Sequence, residues 1–166
     1  MVVKKYIEEN LKLLDRAYKK EKDAKRATYF SKLAILELCG WIEISMDGLV
    51  LDHCTRKVKL QKNIKLVETN VKKTYGFDYE QHFRKMIIQL VGVAACEKIE
   101  RSVDVAAKAK MESHLTSLKT IRDKLAHTYI EGTVAASSID SPSVTRARLH
   151  DIYVGLKEFK KQLSLI

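Results

Sequence analysis

The chain of 166 residues has one proline and six glycines, too few for a collagen repeat, a flexible linker or a turn-rich β-sandwich. Cysteine is sparse as well. Cys39, Cys54 and Cys96 are odd in number and form no C-x-x-C pair, which argues against a disulfide framework and a zinc ribbon. The most apolar stretch, residues 29–51, is long enough to span a bilayer. It carries Lys32, Glu37, Glu43 and Asp47, each costly at membrane depth. The first residues, MVVKKYIEEN, turn charged at once, so no secretory signal is expected. These absences predict a cytoplasmic protein with free thiols and no membrane partner. Acidic residues number 21 against 31 lysines and arginines, a net charge of +10, which points to an anionic partner. Hydrophobic residues make up 46%, enough for one packed core, and the length fits a single domain over 1–166.

The hydrophobic spacing is helical almost throughout. Val3, Tyr6, Ile7, Leu11, Leu14 and Tyr18 recur at steps of mostly three and four and share one face. A charged corner, residues 19–26, precedes a second and more buried helix over about 28–53. A third segment, over about 56–73, is strongly basic: Arg56, Lys57, Lys59, Lys62, Lys65, Lys72 and Lys73 stand against Glu68 alone. Asp78 with Gln81 three residues on reads as a helix cap opening a helix to about Arg101. A further helix runs to about Thr128, starting between Val103 and Ser113. Residues 132–143 read as the one clear loop. Ser141 then caps a last amphipathic helix with Pro142 at its first position. The expected fold is all-α, an up-and-down bundle of five or six helices.

Most familiar chemistry is missing. There is no Glu-x-x-His, no His-Glu-x-x-His, no phosphate-cradling glycine loop and no Gly-x-Ser-x-Gly. His53 and Cys54 have no second pair at metal-ligand spacing, so no metal and no other cofactor is expected. His82, His114 and His150 have no comparably suggestive neighbours. Arg84, Arg101, Arg146 and Arg148 add only general positive charge.

The informative run is Ile121-Arg122-Asp123-Lys124-Leu125-Ala126-His127-Thr128-Tyr129. On a helix Asp123 and His127 share a face, so the carboxylate would hold one imidazole nitrogen and leave the other free to move a proton. Arg122 lies about 140° round from His127 at ~100° per residue, so the two diverge within one chain. A two-fold dimer would juxtapose two copies of each. Arginine and histidine without a metal suit phosphodiester chemistry on RNA, which carries its own 2′-hydroxyl nucleophile. Histidine shuttles the proton and arginine stabilises the phosphorane charge.

Arg-x4-His late in a helical chain, with a polar residue after the arginine, resembles the HEPN superfamily of helical ribonucleases. With Tyr129 the pattern becomes Arg-x4-His-x-Tyr, similar to HEPN toxins paired with MNT nucleotidyltransferase antitoxins. The resemblance is sharp only over residues 122–129. It implies a homodimeric, metal-independent endoribonuclease of a toxin–antitoxin or phage-defence system, leaving 2′,3′-cyclic phosphate and 5′-hydroxyl ends. Arg122 and His127 map onto the catalytic pair and Asp123 onto the polar position between them. Tyr129 maps onto the tyrosine that the antitoxin modifies with AMP. A reading from another class stands beside it: a non-catalytic helical module that binds nucleic acid or a partner protein through the basic 56–73 face.

Overall fold

A computed structural model describes residues 2–127, 129–130 and 139–166. Among these the chain is all-α, with seven α-helices and no strand. They are α1 (Lys5–Lys20), α2 (Ala24–Lys57), α3 (Gln61–Lys72), α4 (Arg84–Val91), α5 (Val93–Ser102), α6 (Val105–Ala126) and α7 (Pro142–Ser164). The helical bundle read from the sequence is therefore present, and its boundaries account for the higher count. The Asp78 cap forms as expected, its Oδ1 accepting from the Gln81 amide at 2.8 Å. It opens a π-helical turn, Tyr79–Phe83, rather than regular α-helix. The helix then breaks at Gly92, whose φ of 84° is open to glycine and strained for other residues. One expected helix is thus two.

The second helix is longer than its apolar pattern. Asp23 caps it by accepting from the Arg26 amide at 2.8 Å, and it runs on to Lys57. Arg56 and Lys57 therefore end α2, and the remaining lysines of the basic segment lie in or beside α3. Pro142 begins α7 with Ser141 at the N-cap position, where the serine hydroxyl meets Ser143 Oγ at 2.8 Å instead of capping the helix. Most of the expected 132–143 loop, including Gly132, lies outside the described residues.

Helices α1, α2, α6 and α7 pack on one another as the body of the bundle, with α2 and α7 central. Leu11, Ile35, Leu38, Ile42, Met46, Met111, Leu118, Ile152 and Phe159 fill the interior. The π turn leans on α7 through an aromatic cluster, with the Phe159 ring 5.3 Å from Phe83 and 5.6 Å from Tyr79. Glu100 ties this corner together. It accepts from the Tyr79 hydroxyl at 2.6 Å and pairs with Arg84 at 3.1 Å and Lys108 at 3.3 Å. Burial works to raise its carboxyl, but these three partners outweigh that and hold it below the ordinary range.

Where α6 crosses α7, a methyl added to Gly155 would fall 2.7 Å from Met111 Cβ. Gly155→Ala is accordingly expected to cost about 1–3 kcal/mol through overpacking. A lowered urea midpoint with an unchanged slope would show it, and an unmoved midpoint would mean the crossing yields.

Candidate functional site

Arg122 projects from α6 toward the middle of α2. Its Nη2 lies 3.4 Å from Glu43 Oε1, and its guanidinium carbon lies 5.5 Å from the centre of the buried Phe77 ring. Asp123 Oδ1 stands 3.5 Å from Arg122 Nε. That distance suits an ion pair, but the groups are not aligned as a hydrogen bond, and the buried Nε has no hydrogen-bond partner. Two carboxylates and a ring face therefore brace the guanidinium while one N–H stays unused.

The floor beneath it is built by the segment between α3 and α4. Lys119, three residues before Arg122 on α6, places Nζ 3.4 Å from Asp78 Oδ2 and 3.4 Å from Gln81 Oε1. The Asp78 amide donates to His82 Nδ1 at 3.0 Å, which puts the proton of the neutral ring on Nε2. Burial, the largest influence, lowers the His82 pKa and favours that neutral form. Gly76 adopts φ of 116°, and a side chain there would meet the His82 ring at 2.8 Å. His82 thus locks the turn carrying Phe77 and Asp78, a structural part that its sequence neighbours do not announce.

His127 is exposed at the C-cap of α6, with φ −105° and ψ 3°. Among the described residues no hydrogen bond joins it to Asp123. The four-residue spacing assumes a helix continuing through His127, and α6 ends at Ala126. Asp123 instead faces Arg122. A histidine–carboxylate pair does form elsewhere: His114 Nε2 lies 3.0 Å from Asp151 Oδ2 and links α6 to α7. Tyr129 is 78% exposed and adjoins Ile130, which is buried. Among the described residues no contact joins Arg122, on the flank of α6, to His127 at its tip.

The other candidates divide clearly. Arg56, Lys57, Lys59, Lys62, Lys65, Lys72 and Lys73 are all exposed. Tyr75 beside them is 82% exposed. Arg84 and Arg101 are engaged with Glu100 and Glu97, and Arg148 with Asp140. His53 and Cys54 are core residues, and among the described residues no cluster of three potential metal ligands occurs. Burial pushes the Cys39 thiol up to about 12 even though Arg122 opposes it, so it is no nucleophile near neutral pH. No helix among the described residues is long and apolar enough to cross a membrane.

Glu43 and Phe77 could not be found from local sequence. Glu43 is 79 residues from Arg122, and no spacing rule links such positions. The signs in the sequence that the chain turns here are the run Tyr75-Gly76-Phe77, which breaks the helical pattern, and the Asp78 cap. Compared with known proteins, the chain matches no family model, no curated protein and no solved structure.

Proposed function

We propose that this chain is a HEPN-like endoribonuclease that cleaves RNA without a metal ion, acting as a cytoplasmic homodimer. The observation that carries the reading is the bracing of Arg122 by Glu43 and Phe77, with an unused Nε–H, on the helix that ends at the exposed His127. A guanidinium held in advance stabilises developing phosphorane charge without reorganising. His127, open to solvent at the helix tip, would take the proton from the 2′-hydroxyl. The 2′-oxygen forms its bond to phosphorus as the bond to the 5′-oxygen breaks, and the leaving oxygen gains a proton. Asp123 steadies the arginine in this arrangement. Because Arg122 and His127 do not meet within one chain, the reading assigns them to a composite site built by two copies. An exposed Tyr129 suits modification by a nucleotidyltransferase antitoxin, in a toxin–antitoxin or phage-defence pair.

Analysis of product ends tests the reaction class. Cleavage products with 2′,3′-cyclic phosphate and 5′-hydroxyl ends are expected. Products with 5′-phosphates would mean that water, and not the 2′-hydroxyl, is the nucleophile.

The exposure of all seven basic side chains at the end of α2 and along α3 favours a second reading, a non-catalytic nucleic-acid-binding module. Under either reading Lys62→Glu with Lys65→Glu should weaken RNA binding at least tenfold and flatten its salt dependence. Gel shifts at two salt concentrations would reveal it. Unchanged binding would remove this face from both readings.

A further inference from the structure

Helix α3 turns Val67 and Val71 to the core and its other side to solvent. At ~100° per residue Lys62, Lys65, Leu66, Thr69, Lys72 and Lys73 fall within about 120° of arc on that outward side, and each is exposed. The lysines there lack acidic partners. Lys4 and Lys12 pair with Glu8, and Lys19 with Asp15. Among the described residues no carboxylate meets Lys62, Lys65, Lys72 or Lys73. From Lys62 to Lys73 the row rises about 16 Å at ~1.5 Å per residue, long enough to follow several successive phosphates.

The row ends at an aromatic ring. Thr74 closes α3, its amide donating to the Val71 carbonyl at 3.0 Å and its hydroxyl to the Asn70 carbonyl at 2.8 Å. Tyr75 follows at 82% exposure, the most exposed large apolar side chain among the described residues, and neither its ring nor its hydroxyl has a partner there. Gly76 then turns the chain with φ of 116°, and Phe77 is buried beneath the Arg122 guanidinium. Tyr75 therefore stands two residues, at most ~7 Å of chain, from the ring that braces Arg122.

We propose that single-stranded RNA lies along the outward side of α3, its phosphates on the lysine row and one unpaired base stacked on the Tyr75 ring. Lysines alone would take either form of nucleic acid. An exposed ring at the end of the row favours the form whose bases can turn outward, and it tolerates any base because every base has a π-face. The turn through Gly76 then holds that base beside the Arg122 site. This deepens the RNA binding common to both readings above, on which it rests, by naming the strand form and the side chain that takes a base.

The probe is a 2′-O-methyl RNA of about 12 nucleotides, of mixed sequence and without self-complementarity. It has no free 2′-hydroxyl, so fluorescence anisotropy reports binding apart from cleavage. Tyr75→Ala should weaken binding of this single strand at least fivefold, as loss of one stacked base requires. The duplex of the same sequence should change less than twofold. Tyr75→Phe should bind as the parent does, because the ring and not the hydroxyl makes the contact. Tyr75→Ala should also keep the parent's salt dependence, since no phosphate contact is lost, with helical content unchanged. Single-strand binding unmoved by Tyr75→Ala, an equal loss on the duplex, or a loss in Tyr75→Phe as large as in Tyr75→Ala would each overturn the assignment while RNA binding stands. A parent that binds neither strand nor duplex would overturn both together. Cleavage enters none of these readouts, so a chain that binds the strand in this way without cutting RNA keeps the assignment and loses only the nuclease reading.

Discussion

Arg122→Ala is expected to slow RNA cleavage by about 10²–10³-fold, roughly 2.7–4 kcal/mol of transition-state stabilisation, the usual effect of losing one charge-stabilising donor. The fold should survive it. Glu43, the partner left behind, keeps 38% of its side chain in solvent, so no buried carboxylate is stranded. Arg122→Lys should recover little, because a single ammonium lacks the planar fork that meets Glu43 and covers the Phe77 ring together. Single-turnover rates beside a circular-dichroism melt separate the two contributions. A variant as active as the parent would leave Arg122 as a structural ion pair.

Phe159→Ala should produce the largest loss of stability, about 3–5 kcal/mol, against a total of roughly 5–15 kcal/mol for a domain. Phe159 is fully buried between Tyr79 and Phe83, and its removal leaves a cavity where α7 meets the π turn. That turn is continuous with Phe77 and Asp78, which underlie Arg122 and Lys119. The variant should therefore lose activity at temperatures where it is still largely folded. Urea titration gives the first effect, and cleavage rates well below the melting temperature give the second. A shift under 1 kcal/mol would mean that the neighbouring rings close over the gap.

Helix-forming patterns were the legible part of this protein. The periodic apolar positions of α1, α6 and α7, the Asp78 cap and the placing of Pro142 at the start of α7 follow from local rules that the chain obeys. Boundaries were less legible where tertiary context intervenes. The extension of α2 to Lys57 runs through a polar end that carries no stripe, and Gly92 divides a pattern that is continuous in hydrophobicity. The site was legible only in part. As candidates, Arg122 and His127 could be named from the Arg-x4-His resemblance. The partners of Arg122 could not, because Glu43 and Phe77 reach it through the fold. Asp123 shows the limit of a spacing argument at a helix end, since the face it shares with His127 lasts only as long as the helix does.

The most direct test of the central claim is cleavage of a mixed RNA substrate in EDTA, with the parent compared with His127→Ala. The account predicts that the parent cleaves and that His127→Ala is slower by about 10²–10⁴-fold, as loss of a proton-transfer group requires. Equal cleavage by the two proteins, or no cleavage by a parent that still shifts RNA in a gel, would contradict it.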